Sequence, residues 1–190
     1  MTKPSPLQLE TIFYPTVSYK ASQIDDKSNS SPMPVGIQAF VTFREEGRHF
    51  AFLALKQDNE DGKHPFKLEI TVFCAFEINM ELARKTYPQA NISSYIAVNV
   101  ARILYSGARE VISTTTSRSP HGAANIESVL IERDDVEIDF EGEGEQADVI
   151  NRIFGSGQIE VEKIAVGAPS VKRAAKALPA HKKAAPKVKE

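Results

Sequence analysis

The sequence predicts an α+β fold, with a four-stranded antiparallel sheet covered by one long helix. Three observations carry this expectation. Phe66, Leu68, Ile70, Val72, Cys74, Phe76 and Ile78 recur at every second position, the period of a half-buried strand. Three earlier stretches alternate in the same way. Ile92, Ile96, Val100, Ile103, Gly107 and Val111 then recur at helical spacing and put an apolar stripe on a helix of about six or seven turns.

The elements follow in order along the chain. Residues 7–20 set Leu7, Leu9, Phe13, Val17 and Tyr19 on alternate positions, and Pro15 suits an edge strand or a bulge. Residues 22–34, rich in Ser, Asp, Asn and Pro, have too few apolar side chains to pack and read as a long surface loop. A second strand places Val35, Ile37, Ala39, Val41 and Phe43 on one face. Glu45-Glu46-Gly47-Arg48 turns the chain into a third strand at 50–55, and the Asp61-Gly62 pair supplies the positive φ of a second tight turn. The fourth strand, 66–78, needs a cover for its apolar face. The helix over 91–117 provides it, with Asn91 as N-cap and Pro120 as stop signal.

The small residues Ala97, Ala101, Gly107 and Ala108 let another element approach that helix closely. Gly107 costs about 1 kcal/mol of helix propensity relative to Ala, so it calls for close packing or a kink. Packing on the chain's own sheet is one reading; an oligomer interface built on Ala101, Gly107 and Ala108 is the other.

After the helix, 124–130 is weakly extended, and 132–148 holds nine acidic residues against Arg133. Their alternation with Val136, Ile138 and Phe140 fits a solvated strand face or an acidic linker. Short elements are expected at 149–154 and 158–164. The expected organisation is therefore a sheet-and-helix domain at 1–131, an acidic extension at 132–166 and a disordered basic Ala/Lys/Pro tail at 167–190.

Composition narrows the function classes. A chain of 190 residues with 42% hydrophobic side chains can bury one ordinary core. Cys74 is the single cysteine, so no intrachain disulfide or cysteine-cluster metal site can form. No window approaches the roughly 20 apolar residues of a membrane span, and no basic-then-apolar run opens the chain, so a cytoplasmic protein without membrane insertion is expected. Residues 1–162 carry 15 basic and 24 acidic side chains, whereas 163–190 carry eight basic and one acidic. The acidic body repels nucleic acid at long range. The tail, through Lys172, Arg173, Lys176, Lys182, Lys183, Lys187 and Lys189, offers only sequence-independent attraction without aromatics for base stacking, so no specific nucleic-acid partner is expected.

With the elements placed, three blocks resemble the SecB family of bacterial export chaperones. Residues 7–13 and 17–21 (LQLETIF and VSYKA) are similar to the family's first strand; 66–70 and 76–78 to its fourth strand; and Ile103-Leu104-Tyr105 with Ala108-Arg109-Glu110-Val111-Ile112 to its helix. Asn125-Ile126 with Val129 echoes the segment that follows. The resemblance covers about residues 7–130. It implies a homotetramer, a dimer of dimers, that holds unfolded polypeptide clients in apolar grooves and delivers them to the motor SecA. Ser106 and Ser128 stand where the family carries Pro, and nothing after Ile131 resembles its second helix. Of the acids that dock SecA, Glu69 keeps one as a candidate docking residue, while Thr16 and Lys20 stand where two others belong.

Holding is also what the residues allow. A chaperone without an energy source captures exposed apolar side chains by many modest contacts, and the chain has no Gly-rich phosphate loop and calls for no cofactor. Phe40, Phe43, Phe50, Phe52 and Phe73 have mixed parity and cannot all face one helix, so some are expected to line a client-binding groove or a subunit contact. A dedicated chaperone for one partner, such as an antitoxin, is an alternative inside this class. A hotdog-type thioester hydrolase is the enzymatic alternative, with Glu110 as the acid to consider. His49, His64 and His121 read as surface residues without metal-site spacing, and Cys74 as a buried inert thiol. No catalytic residue and no metal ligand is assigned.

Overall fold

A computed structural model of the chain describes residues 4–22, 32–59 and 64–155. The chain divides into two units, Met1–Glu160 and Val161–Glu190, and the second lies outside the described residues, as do the basic tail, the 158–164 element, most of the 22–34 loop and the Asp61-Gly62 turn.

The strands are β1 (Leu7–Ala21), β2 (Gly36–Arg44), β3 (His49–Gln57), β4 (Phe66–Ile78) and β5 (Val136–Glu141), and the helices are α1 (Met80–Thr86), α2 (Ile92–Thr116) and α3 (Gln146–Phe154). The fold is α+β, but the sheet has five strands in the order β1-β4-β3-β2-β5. The four expected strands pair antiparallel, and β5 adds to β2 in parallel. The purely antiparallel sheet is thereby corrected. The added strand comes from the acidic run, where Val136 is buried and Ile138 and Phe140 pack on the core while the acids between them stay exposed. The sheet thus continues across the boundary expected at residue 131.

One face of the sheet carries the core. Phe43 of β2, Leu53 and Leu55 of β3, and Ile70, Val72 and Phe76 of β4 are fully buried there against Ile96, Ala97, Val100, Leu104 and Ala108 of α2. The helix is rotated relative to the expected stripe. Ile103 is 44% exposed, while Leu104 is 1% and Ile112 4% exposed. Alanines explain the rotation: Ala97, Ala101 and Ala108 let the backbone of α2 lie close to the sheet, and the larger residues beside them then fill the remaining depth.

Local chemistry ends each helix. The Asn79 side chain accepts the Leu82 N–H at 3.0 Å and caps α1. Asn91 is the residue before α2 as expected, but its side chain makes no capping bond, and a short 3₁₀ turn, Gln89–Asn91, leads in instead. At the far end Thr116 Oγ1 donates to Ile112 O and accepts the Ala124 N–H, both at 2.7 Å. Pro120 lies beyond that end, in a turn closed by Gly122 at φ +74°.

The 124–131 stretch forms no strand; it pairs only through a bridge between Met33 and Ile126. Its carbonyls are satisfied by α2 side chains. Arg102 donates twice to Ile131 O, at 3.0 and 2.7 Å, Tyr105 Oη to Glu127 O at 2.5 Å, and Arg109 to Ile126 O at 3.0 Å. This answers where an irregular segment's backbone bonds go. At the other end of the sheet, α3 buries Val149, Ile150 and Phe154; the Phe154 ring meets Phe43 edge-on at 5.0 Å, and Arg84 caps Phe154 O at 3.1 Å.

The rotation of α2 yields a prediction. Leu104→Ala removes a buried side chain and costs about 2–5 kcal/mol of unfolding free energy, whereas Ile103→Ala, one position away, costs less than about 1 kcal/mol. Equal losses in urea titrations of the two variants would contradict the packing described.

Candidate interaction surface

Successive strand residues point to opposite faces, so the alternation that builds the core also sets a second row outward. On the face away from the helices the register aligns Phe13 of β1 with Phe73 of β4, Phe73 with Phe52 of β3, and Phe52 with Phe40 of β2. Phe50 lies one step along β3. The rings touch: Phe13 and Phe73 centroids are 4.8 Å apart, Phe50 and Phe73 5.4 Å, and Phe40 and Phe52 6.2 Å. Phe13 is 47% and Phe40 38% exposed, and Phe50, Phe52 and Phe73 are half-buried. Among the described residues, no helix packs on this face. An exposed apolar row of this kind is a candidate interaction surface.

Of the five phenylalanines expected to line a groove, Phe40, Phe50, Phe52 and Phe73 meet on this outer face. Phe43 does not. It has the opposite parity within β2 and is fully buried between Phe76, Phe140 and Phe154, which closes it to any client. Phe13 replaces it, although period-two counting puts Phe13 with Leu7 and Leu9 on the core face. The reason is a register shift between Leu9 and Thr11, after which Ile12 shares the core face with Cys74 and Phe13 turns outward. A second shift, between Phe13 and Thr16, spans Pro15 and returns Val17 and Tyr19 to the core side. Pro15 signals the second irregularity; no residue near Glu10 signals the first.

The other candidates fall elsewhere. Ala101 and Ala108 are buried against the chain's own sheet, so they are not available to a partner subunit. A Cβ at Gly107 would lie 3.2 Å from Tyr14 Oη, so the missing side chain makes room for β1. Glu69 is exposed on the outer face, between Ser18 and Lys56 in register. Thr16 faces Thr71 and Lys20 faces Lys67 on the same side. Asp58 bridges Lys56 at 3.1 Å and Lys67 at 3.3 Å. Glu110 is exposed on α2, while Arg109 beside it is turned to Ile126 O and the Tyr105 ring.

The titratable groups in the core are held by burial and by backbone partners. Cys74 is fully buried, and burial pushes its thiol up to about 11 despite a backbone hydrogen bond from Ala51. His49 is not the surface residue expected. It is half-buried on the core face between Phe43 at 5.6 Å and Phe76 at 5.4 Å, and its Nδ1 accepts the Arg44 N–H at 3.1 Å. His121 is also drawn inward, with Nε2 2.7 Å from Ser22 O and its ring edge-on to Phe66. His64 is half-buried, its backbone N–H and carbonyl both bonded to the Asn59 side chain. No group of three or more His, Cys, Asp or Glu could hold a metal among the described residues, and none of their helices is long and apolar enough to cross a membrane. In comparisons with known proteins, no family model and no curated protein matches the chain.

Burial holds His49 below its ordinary value of 6.5. The unfolded ring takes up its proton as pH falls through 6.5 while the folded ring resists. Stability from this group is therefore full above 6.5 and is lost as pH falls from there through the lower folded-state value. His49→Asn, which keeps an acceptor for Arg44, is expected to flatten that part of the pH profile in urea unfolding; an unchanged profile would remove His49 as its source. Cys74 is expected to stay unreactive to a thiol reagent at neutral pH until the protein unfolds.

Proposed function

We propose that the protein is an ATP-independent holding chaperone of the SecB type, which binds unfolded or export-destined polypeptides on its phenylalanine-bearing sheet face. The observation that carries the reading is the row formed by Phe13, Phe73, Phe52 and Phe40, outward-facing and without cover among the described residues. Unfolded chains differ from folded ones in exposing apolar side chains, and such a row meets them without reactive groups. Burial of apolar area yields about 25 cal/mol per Å², much of it offset by ordering the client, so each contact is modest and reversible. Binding the unfolded state withdraws it from aggregation by mass action and needs no nucleotide.

The resemblance of three sequence blocks to the SecB family supports the same reading. Assembly into a homotetramer of two dimers belongs to this proposal. It is supported by β1, an edge strand whose Ile12, Val17 and Tyr19 remain 40–43% exposed on the helix side. Unpaired edges of that length and character invite pairing, and several faces in one assembly add avidity. A specific observation favours a variant in which the chaperone serves one dedicated partner rather than SecA. Thr16 and Lys20, which faces Lys67, stand where a docking surface for SecA calls for acids, and Glu69 is left as the matching carboxylate.

The test is aggregation of a denatured, unrelated protein followed by light scattering without nucleotide, with assembly size measured in parallel. The native protein is expected to suppress scattering. Phe40→Ser/Phe52→Ser is expected to bind client about tenfold or more weakly while keeping its thermal unfolding midpoint within a few degrees. No protection of any client by the native protein, or full protection by the double variant, would overturn the proposal.

A further inference from the structure

β1 exchanges its two faces twice. Leu9 lies opposite Phe76 and Thr11 opposite Ala75, which leaves Glu10 as an extra residue; Phe13 lies opposite Phe73 and Thr16 opposite Thr71, which sets Tyr14 and Pro15 together against Val72. Each extra residue is a bulge, and a shift of one residue moves every following side chain to the other face. Only 11–14 therefore carry the exchanged order, with Phe13 outward and Ile12 and Tyr14 toward the helix side. Loss of either bulge puts Phe13 in the parity of Leu9 or of Val17, both on the core side. The first bulge is tied to the β2–β3 turn by an ion pair between Glu10 and Arg48, an exposed pair and so a weak one. The second is held from the helix layer. Tyr14 packs on the core, and a Cβ at Gly107 of α2 would lie 3.2 Å from its hydroxyl oxygen, closer than ordinary contact. Glycine is a poor helix former, and the space it leaves in α2 is the space Tyr14 uses. β1 pairs only with β4, so a slip that moved the bulge would break one ladder rather than two.

We propose that Gly107 and Tyr14 are positioning residues for Phe13: the tyrosine, seated against the glycine of α2, fixes the second bulge and so holds Phe13 in the outward row. A side chain at 107 displaces Tyr14, the extra residue moves along the strand, and Phe13 leaves its place opposite Phe73. The helix on one face of the sheet thereby decides what the other face presents. The worth of that position for client capture rests on the proposed chaperone reading, whereas the link between the two faces stands on the register alone.

The test reads the register by cross-linking in the full-length protein. Residues directly opposite on antiparallel strands lie about 4.5–5.5 Å apart at Cα, within disulfide range. Phe13→Cys/Phe73→Cys and, beyond the second bulge, Lys20→Cys/Lys67→Cys are oxidised with glutathione disulfide; the native Cys74 is buried. Both pairs are expected to link. Adding Gly107→Leu, which keeps a good helix former, is expected to slow the 13–73 link about tenfold or more and to leave the 20–67 link unchanged. Adding Tyr14→Ala to Gly107→Leu, which returns the room the leucine takes, should restore the 13–73 link. An unchanged 13–73 link, loss of both links together, or no recovery in the Gly107→Leu/Tyr14→Ala variant overturns the inference and leaves the chaperone reading standing. In client binding, Gly107→Leu is expected to cost about threefold, as Phe13→Ser does, with no further loss when the two are combined; additive losses also overturn the inference. A native protein that holds no client overturns the chaperone reading, while the links still decide the positioning.

Discussion

A single helix about 10–12 Å across cannot cover a five-stranded sheet about 20 Å wide, and most of this structure follows from that mismatch. α2 lies over the middle of one face, where Ala97, Ala101 and Ala108 bring it close to β2, β3 and β4. The edges are handled separately. On the β2–β5 side α3 folds back and closes the core with Phe154 on Phe43. On the β1 side nothing among the described residues does the same, so Ile12, Val17 and Tyr19 stay exposed. With the helices all on one face, the phenylalanines of opposite parity lie on the other.

The constraint also gives the polar side chains of α2 a structural task. The 124–131 segment runs beside α2 without a strand ladder, and unpaired buried carbonyls there would be costly. Tyr105 and Arg109, together with Arg102, satisfy them from the helix, while Met33 bonds Asn125 and Glu127 from the other side. Burial raises the Tyr105 phenol, against the opposing charge of Arg109, so the hydroxyl stays a donor to Glu127 O. These side chains fasten the exit of the helix and thereby set the path by which the chain returns to the sheet edge as β5.

On the open face the strand geometry keeps two kinds of side chain adjacent. The rings present apolar area, and the carboxylates of β5 lie beside β2 in register, Glu137 next to Phe40. An exposed apolar row invites self-association, and charges beside it oppose that. The acidic alternation also blunts β5 as an edge strand, so one sequence pattern serves both the sheet and its surface.

Much of this was legible in the residues. Period-two alternation in β4 and the helical spacing of α2 are strong, local signals, and both elements lie where those periods put them. So were the four antiparallel strands and the outward parity of Phe40, Phe50, Phe52 and Phe73, because a strand's faces alternate wherever its register is regular. What tertiary structure alone decided lies where register or partner depends on distant residues. The shift after Leu9 sends Phe13 outward, the pairing of β5 with β2 converts an acidic stretch into a fifth strand, and close packing of the alanines rotates α2 so that Leu104, not Ile103, enters the core. Periodicity specifies which side chains share a face over a few residues; which face meets the helix, and which strand lies alongside, is settled only when the whole core competes for the same contacts.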